Sequence, residues 1–321
     1  MINIHDFEAC EESGRFYGGN AGRKIGLVWR DDDWLVKFPG PTGKLHGSVP
    51  SYTTAPLSEW LGSHVYGMLG IPVHETVLGI RDGRVVCACR DFTLPDSTLV
   101  SFHDLRNSLS DDEPGFTEDA STGSGVVLAD VRSAIHRIPV LRAIDGVSDR
   151  FWDMFVVDAF IRNIDRNNTN WGVLRDSRRR FSLAPVYDNG NSFNNKRTES
   201  GIVRRLTDPD LIRQDALDVR SCYVTDSGTP IAPLKYIASG QDAECTRALD
   251  RFMERYDPTS FHDLLDGIPT ASHGLAITPE GFHEYHRRVC DYRYEHAFTE
   301  AWKALHPASH VTATPGPFRP A

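Results

Sequence analysis

The chain has 321 residues, of which 40% are hydrophobic and 25% are charged, and its formal net charge is −9. This composition is that of a globular protein, long enough for a two-lobed enzyme or for two modest domains. The negative net charge gives no reason to expect general attraction to nucleic acid or to anionic membranes.

The sequence predicts neither a membrane span nor a Sec-type signal peptide, because its apolar runs are short and residues 1–14 contain acidic groups. We therefore expect a cytoplasmic protein, with a specialised secretion route left open. The six cysteines are dispersed, which favours reduced thiols over a disulfide framework. Cys87 and Cys89 are close together, but no second pair has zinc spacing, so no structural metal is predicted.

The first informative stretch is the glycine-rich segment at residues 18–26. Gly18, Gly19 and Gly22 permit positive φ angles, and such a loop can direct backbone N–H groups towards phosphate oxygens. The segment matches neither the P-loop nor the dinucleotide-binding motif. Taken alone, it is more typical of a flexible turn.

A predicted hairpin follows, with strands at residues 26–30 and 34–38. The second strand carries Lys37, and a glycine-rich turn followed by such a hairpin is the order of the nucleotide cradle in protein kinases. In that arrangement Lys37 holds the α- and β-phosphates, and Lys24 adds positive charge to the loop. The alternative for Lys37 is an outward-facing side chain on a half-exposed strand.

Residues 56–69 have apolar side chains at helical spacing and a proline in the first turn, so they predict a helix. Glu59 lies in the first turn, where a carboxylate complements the helix dipole. In a kinase arrangement Glu59 pairs instead with Lys37 and directs its ammonium group towards ATP.

Two further strands are predicted at residues 71–78 and 84–89, and the chain leaves the sheet at 90–93. The region that follows is less regular. Residues 105–125 are polar, acidic and rich in glycine and serine, which favours a mobile insertion or lid. A helix is predicted within 126–139.

The most informative segment is residues 151–191. It begins as an apolar helix, breaks into a polar loop at 163–170, and continues as two predicted strands at 171–174 and 181–187. The second strand leads directly to Asp188.

Asp165, Asn170 and Asp188 are the groups that a phosphoryl-transfer site needs. In such a site, one carboxylate lies near the attacking hydroxyl, and an amide oxygen and a second carboxylate hold Mg²⁺ on the phosphates. Asp165 and Asn170 are five positions apart (170 minus 165), as are the catalytic Asp and the metal-binding Asn of protein kinases. Asp-Asn-Gly replaces Asp-Phe-Gly, and no His-Arg-Asp precedes the loop. The alternative is a polar turn followed by an ordinary hairpin.

Asp158 lies among apolar residues of the predicted helix, so it needs a buried partner, and we expect it to brace the loop. The polar residues 194–200 predict a loop at which a substrate docks. Further helices are predicted at 208–219, 241–256, 261–268 and 279–305, and a disordered tail at 307–321. The thirteen histidines form no metal-binding motif.

Together these features resemble the HipA-like serine/threonine protein kinases, most closely the short form of the family, which includes a secreted pro-inflammatory kinase. The resemblance covers about residues 15–300; the loop and the following Tyr187-Asp188 are specific, whereas the glycine-rich segment is not. The residues that carry it are 18–26, 34–39, 58–61, 69–73, 91–93, 163–172 and 184–190.

The resemblance implies a bilobed α+β fold of the protein-kinase type. A small β-rich N-lobe at residues 1–93 and a larger, mainly helical C-lobe at 94–306 would hold the nucleotide between them, with the hinge backbone at Arg90 and Phe92 against adenine. The implied reaction uses ATP and Mg²⁺ and transfers the γ-phosphoryl group to Ser or Thr hydroxyls of a protein substrate.

By the same resemblance, Asp165 matches the catalytic base, and Asn170 and Asp188 match the ligands of Mg²⁺. Lys37 matches the lysine that binds the phosphates. These assignments make the loop and the hairpin after it one catalytic unit.

Several members of the family are toxins, so a toxin or effector role and an antitoxin partner follow as expectations. The longer toxins carry a subdomain before the glycine-rich loop. Only 17 residues precede Gly18 here, so we expect that subdomain to be absent or encoded separately, and in the second case it is a further expected partner. Residues 18–26 also lack the serine that those toxins phosphorylate to switch themselves off.

Three alternatives stay open at this point. Lipid and small-molecule kinases share an Asp-Arg-x-x-x-Asn loop, so the acceptor hydroxyl need not belong to a protein. The second alternative is a pseudokinase that only senses nucleotide, although such a protein would not need to keep Lys37, Asp165, Asn170 and Asp188 together. A generic α+β interaction protein is the third.

Overall fold

The computed structural model describes residues 1–18, 22–43, 51–93, 96–107 and 125–307. Gly19, one of the predicted phosphate-binding glycines, lies outside the described residues. So do residues 108–124 of the predicted insertion and residues 308–321 of the predicted tail. The start of the predicted insertion, at residues 105–107, is the end of a short helix and its C-cap.

The N-terminal part is a five-stranded sheet with one long helix. The sheet has the order β1-β4-β5-β3-β2, and its pairings are antiparallel except that of β1 with β4. Its elements are β1 (His5–Asp6), β2 (Lys24–Trp29), β3 (Asp32–Lys37), helix α1 (Ala55–Met68), β4 (Thr76–Arg81) and β5 (Arg84–Arg90). The hairpin, the helix and the last strand agree with the predictions to within two residues.

The alternation of side chains along β3 places Lys37 in the cleft. Successive side chains of a strand point to opposite faces, and Trp34 and Val36 are buried in an apolar cluster with Phe7 and Leu27. Lys37 therefore lies on the other face, towards α1. This excludes the alternative of an outward-facing lysine.

The C-terminal part is mainly helical. Its helices are α2 (Phe102–Arg106), α3 (Leu128–Arg137), α4 (Pro139–Arg142), α5 (Val147–Ile161), α6 (Glu199–Leu206), α7 (Pro209–Leu217), α8 (Pro233–Ser239), α9 (Ala243–Arg255), α10 (Pro258–Gly267), α11 (Phe282–Arg293) and α12 (Glu300–Leu305), with a π-helical turn at Tyr294–Thr299. Its strands are β6 (Ser97–Ser101), β7 (Val126–Val127), β8 (Gly172–Asp176), β9 (Phe181–Leu183), β10 (Tyr223–Val224), β11 (Ala271–Ser272) and β12 (Leu275–Ala276).

Helix α5 is the centre of this part, because 11 of its 15 residues are buried. Phe160 packs on Phe252 and Tyr256 of the α9 region, with ring centroids 5.1 and 4.7 Å apart. A helix that is buried around most of its circumference must lie inside a larger core. The core therefore holds the C-terminal end of α5, at which the next loop begins.

Two predicted strands include residues that lie outside β4 and β9, and both errors have one cause. Residues 72–74 and Val186 pair with each other across the two parts of the chain instead of extending those strands. The N–H of Val186 donates to the backbone oxygen of Pro72 at 2.8 Å, and the N–H of His74 donates to the backbone oxygen of Val186 at 3.0 Å. Local periodicity identifies extended backbone but not its partner.

Several elements were not predicted, and β6, α6 and α8 are among the longest of them. The region after residue 93 contains β6, which pairs antiparallel with β8 and completes the sheet β6-β8-β9. Helices α6 and α8 were also missed, since neither has a long apolar stripe. The predicted lobe boundary at residue 93 stays a prediction.

Among the helices of the described residues, none combines the length and the hydrophobicity that crossing a bilayer requires.

Candidate active site

The loop after α5 is held by its own asparagines. Arg162 ends the helix in the left-handed region, with a φ of 58°. The side-chain oxygen of Asn163 accepts the N–H of Asp165 at 3.1 Å, and that of Asn167 accepts the N–H of Thr169 at 2.9 Å. Such side-chain turns compete with helix formation. They explain why the asparagine-rich sequence folds as a tight loop.

Asp165 and Asn170 are joined within this loop. The side-chain nitrogen of Asn170 donates to the backbone oxygen of Asp165 at 2.6 Å, which fixes the orientation of the amide. The carboxylate of Asp165 accepts a hydrogen bond from the side chain of Asn167 at 2.9 Å. Burial raises the pKa of Asp165; the Asn167 hydrogen bond lowers this pKa and the charge of Asp188 raises it, with a net upward shift.

A buried ion pair braces the loop from below. Asp158 of α5 accepts hydrogen bonds from Nε of Arg166 at 2.9 Å and from Tyr66 at 2.8 Å. Both charged side chains are almost fully buried, at 6% and 2% side-chain exposure. Burial alone lowers the pKa of Arg166, but the charge of Asp158 raises this pKa well above its usual value. The prediction that Asp158 has a buried partner is confirmed.

Arg166 connects the loop to the Asp188 segment. Its guanidinium group donates to the backbone oxygens of Asn170 and Tyr187, the former at 3.0 Å, and to the side-chain oxygen of Asn189 at 2.6 Å. One buried side chain therefore holds both halves of the predicted catalytic unit in register.

The asparagine that replaces phenylalanine after Asp188 has a structural reason. Asn189 is fully buried, and its side-chain nitrogen donates to Oγ of Ser63 at 3.0 Å while its N–H donates to Glu59 at 3.1 Å. Gly62 of α1 permits this approach, since a Cβ there would lie 2.9 Å from that of Asn189. A polar network thus takes the place of an apolar contact.

Lys37 lies between two carboxylates. Its Nζ is 2.8 Å from Oε2 of Glu59 and 2.9 Å from Oδ1 of Asp188. Burial lowers the pKa of Lys37, but the charges of Asp188 and Glu59 raise it well above the usual value. Burial raises the pKa of Glu59, but Lys37 and His74 lower it further than burial raises it. The pairing of Glu59 with Lys37 is therefore present, as the kinase arrangement predicts.

One group of buried side chains in the described part of the chain has the spacing of metal ligands. Atoms of Glu59, His74 and Cys89 lie within 4.8 Å of one another. Glu59 already pairs with Lys37 at 2.8 Å and with Nε2 of His74 at 3.1 Å. Both oxygens of the Glu59 carboxylate are therefore already used by buried partners. We interpret the group as a support that holds the Glu59 carboxylate.

A cavity of about 700 Å³ lies between the two parts of the chain. It contains most of the residues predicted to bind nucleotide, namely Gly18, Lys24, Lys37, Arg90, Phe92, Asn170 and Asp188. The ring of Phe92 lies 5.6 Å from that of Tyr187, which gives the cavity an aromatic wall. Its size is that of a small-molecule site.

At the rim of this cavity, the backbone of residues 90–93 is partly used by the sheet. The N–H of Arg90 donates to the backbone oxygen of Glu75, and the N–H of Asp91 to that of Asp33, both at 2.9 Å. Among the described residues the N–H of Phe92 has no backbone partner. Of these three N–H groups, only that of Phe92 is left for a ligand.

A second cavity, of about 780 Å³, continues from the first. Lys24, Lys37 and Asp188 line both cavities. The second cavity contains Gly22, Glu59 and Asp165, which are the other described residues predicted to form the site. The structure thus places every described site residue on one of two connected cavities.

Sequence reasoning missed the residues that support the site from distant segments. Oδ2 of Asp91 accepts hydrogen bonds from Arg15 at 2.7 Å and Tyr17 at 2.9 Å, and His74 holds Glu59. Burial and the hydrogen bond to Asp91 raise the pKa of Tyr17, so it stays a neutral donor. No local pattern marks these residues, because their partners lie far along the chain.

Known proteins similar to this chain were found by sequence and by structure. The chain is 32% identical, over 83% of its length and 80% of the relative's, to the serine/threonine-protein kinase CtkA of Helicobacter pylori. A crystal structure of that proinflammatory kinase superposes with a TM-score of 0.82 at 27% identity, over 95% of this chain and 99% of the other. No family model matches the chain.

A more distant likeness concerns the fold alone. HipA of Shewanella oneidensis, solved with HipB and operator DNA, superposes with a TM-score of 0.53 at 12% identity, over 94% of this chain and 70% of that one. The predicted bilobed α+β fold is confirmed by both structures. With a relative that is 32% identical over most of both chains, the chain belongs to the HipA-like family of serine/threonine protein kinases.

Proposed function

We propose that the protein transfers the γ-phosphoryl group of Mg²⁺-bound ATP to a Ser or Thr hydroxyl of a protein substrate. The observation that carries the proposal is the continuity of the two cavities. Lys37 and Asp188 lie where the cavities meet, Asn170 lines the first, and Asp165 lines the second. A nucleotide in the first cavity therefore directs its phosphates towards Asp165.

The N-terminal sheet would supply the nucleotide-binding groups. Lys37 would bind the α- and β-phosphates, with Glu59 holding its ammonium group in place. Gly18, Gly22 and Lys24 would lie along the phosphates. The free N–H of Phe92 would meet the adenine edge, whereas Arg90 would contribute through its carbonyl group.

Asn170 and Asp188 would hold the metal. An amide oxygen and a carboxylate are the hard ligands that Mg²⁺ prefers, and Mg²⁺ sites usually combine one or two such groups with substrate phosphates. When bound, Mg²⁺ would neutralise the charge that develops on the transferred phosphoryl group. The orientation of Asn170 is preset by its hydrogen bond to Asp165, and that of Asp188 by the contacts of Arg166 on both sides of it.

Asp165 would orient the acceptor hydroxyl and accept its proton. As the hydroxyl oxygen bonds to the γ-phosphorus, its proton passes to the Asp165 carboxylate and the phosphoryl group leaves ADP. The raised pKa of Asp165 favours this step. No covalent enzyme intermediate is needed, so catalysis would rest on positioning and electrostatics.

A protein acceptor is favoured over a lipid or sugar by the relative that is named as a serine/threonine-protein kinase. The likeness to HipA is a likeness of fold, so a toxin role and an antitoxin partner are not part of the proposal.

The test is incubation of the protein with γ-labelled ATP and Mg²⁺, followed by mapping of phosphosites on itself and on a mixed protein substrate. Asp188→Ala should lose incorporation and Mg²⁺-dependent ATP binding, measured by thermal shift. Asp226→Ala is the matched control, because Asp226 is exposed and lines neither cavity. Phosphorylation of lipid or sugar, but of no protein, would refute the proposed acceptor.

A further inference from the structure

A third cavity, of about 630 Å³, lies beside the loop that contains Asp165. Its lining contains five cationic side chains and no carboxylate. The five are Arg162, Lys196, Arg197, Arg204 and Arg205. The whole chain has a net charge of −9, so this basic pocket opposes the general charge of the protein.

A single buried carboxylate lies behind the pocket and neutralises only part of its charge. Asp215 of α7 accepts hydrogen bonds from Arg197, Arg205 and, at 2.6 Å, the hydroxyl of Tyr285. Two guanidinium groups and one hydroxyl group therefore share one carboxylate. These contacts hold Arg197 and Arg205 at the pocket wall.

The other three cations have no carboxylate within salt-bridge distance among the described residues. Lys196 and Arg204 are exposed. Nε of Arg162 donates to a backbone oxygen, that of Asp218, at 3.2 Å. Burial lowers the pKa of Arg162, and the charge of Arg197 lowers it further, while Asp218 raises it. The pocket thus contains positive charge that its own side chains do not compensate.

The basic pocket opens directly onto the catalytic loop. Asn191, Asn195 and Lys196 line both this pocket and the cavity that contains Asp165. Ile164, the neighbour of Asp165, lines the pocket as well. A polypeptide that presents a hydroxyl to Asp165 therefore has its adjacent residues within reach of these cations.

We propose that the basic pocket is a docking site for the segment around the phosphoacceptor, and that this segment carries Asp or Glu side chains. The inference rests on the proposed function and adds the substrate class: Ser or Thr within an acidic stretch of a protein. Guanidinium groups form paired hydrogen bonds with carboxylates, and complementary charge selects the partner and speeds its association. The segment predicted from sequence as a substrate loop, at residues 194–200, forms part of this pocket.

The first experiment measures binding without catalysis. Two fluorescent nonapeptides with a central Ser, flanked by Glu in one and by Gln in the other, are titrated with the protein at low salt. We expect the Glu peptide to bind at least about tenfold more tightly, and its advantage to shrink in 0.5 M NaCl because exposed charges are screened. Equal affinity for the two peptides would overturn the proposal.

Lys196→Gln and Arg204→Gln test the pocket itself, since neither side chain belongs to the buried Asp215 network. Each should weaken binding of the Glu peptide about threefold to fivefold, as expected for a partly exposed ion pair, and leave the Gln peptide unchanged. Arg178→Gln, an exposed arginine on the β8–β9 turn that lines none of the three cavities, is the matched control. If the control weakens binding as much as the pocket variants, the pocket is not the docking site.

A kinase assay with the same peptides separates this inference from the proposed function. We expect a higher kcat/KM for the Glu peptide, and an increase in KM in the two pocket variants with little change in kcat. Phosphorylation of both peptides at equal efficiency would refute the acidic preference and leave the kinase proposal intact. If the protein binds the Glu peptide but neither pocket variant weakens this binding, the pocket does not serve the acceptor. The same conclusion follows if the protein phosphorylates only itself.

Discussion

Replacement of Asp158 by Asn tests the brace beneath the catalytic loop. Asp158 accepts two hydrogen bonds from Arg166, at 2.9 and 3.1 Å, one from Tyr66 at 2.8 Å and one from Asn163 at 3.1 Å. The amide keeps the shape of the carboxylate but removes its charge. Arg166 is then a buried cation without a charged partner. The amide nitrogen of the new side chain is a donor, and it faces the donor groups whose hydrogen bonds the carboxylate accepted.

Breaking a buried ion pair by removing one partner destabilises a protein by about 3–5 kcal/mol. Loss of single exposed pairs changes stability by less than about 1 kcal/mol. Asp149 is such a case, because it pairs with Arg251 at 3.2 Å and is 58% exposed. Asp158→Asn should therefore lower the free energy of unfolding several times more than Asp149→Asn.

Urea unfolding followed by tryptophan fluorescence gives both values, since the chain has six tryptophans. The slope m should be the same in the two variants, so that the midpoints report stability. Phosphotransfer by Asp158→Asn should also fall under conditions where it is folded, because Arg166 holds Asn170 and Tyr187. A loss of stability below about 1 kcal/mol, equal to that of the Asp149 control, would refute the reasoning.

Two further predictions concern buried titratable groups. Glu59→Gln removes the charge that holds Lys37, so kcat/KM for ATP should fall about 10²-fold. Glu75→Gln is the control, because it loses only an exposed contact and should leave kcat/KM unchanged. Equal effects of the two substitutions would contradict the role of Glu59. Burial, and then the charge of Arg293, lower the pKa of His286 to about 3. Because its folded pKa lies below its unfolded value, the stability from neutral His286 is complete above about pH 6.5 and lost as the pH falls towards 3. Between pH 7 and pH 5 the free energy of unfolding should therefore fall by about 2 kcal/mol less in His286→Phe than in the wild-type protein. An identical pH dependence of stability in the two proteins would exclude a buried neutral His286.

Sequence alone was sufficient for the parts of the site that local chemistry dictates. Asp165 and Asn170 lie within one loop, so their spacing could be taken from the sequence. For Lys37 the sequence left an outward-facing side chain open, and the structure excluded it. Glu59 was identified because α1 has a helical pattern and kinase order relates it to Lys37. The fold and the kinase family are confirmed, whereas the individual roles of these residues stay predictions.

The remainder depends on contacts between distant segments, which no local pattern records. Asn189 was seen as a departure from Asp-Phe-Gly, and its reason became apparent only when Ser63 and Arg166 were found beside it. Residues 72–74 and 186 were assigned to strands of their own hairpins, because extended backbone does not reveal its partner. The basic pocket combines Arg162 with α6, and these segments are separated by a whole hairpin in sequence.

The most direct test of the account compares Asp165→Ala with the wild-type protein at saturating ATP and Mg²⁺. Since the proposed role of Asp165 is to contact the acceptor and not the nucleotide, we expect phosphotransfer to fall at least about 10²-fold, with ATP affinity within about threefold of wild type. Loss of both activity and ATP binding would place Asp165 among the nucleotide-binding groups. Turnover close to that of wild type would contradict the central claim that Asp165, Asn170 and Asp188 form the site of phosphoryl transfer.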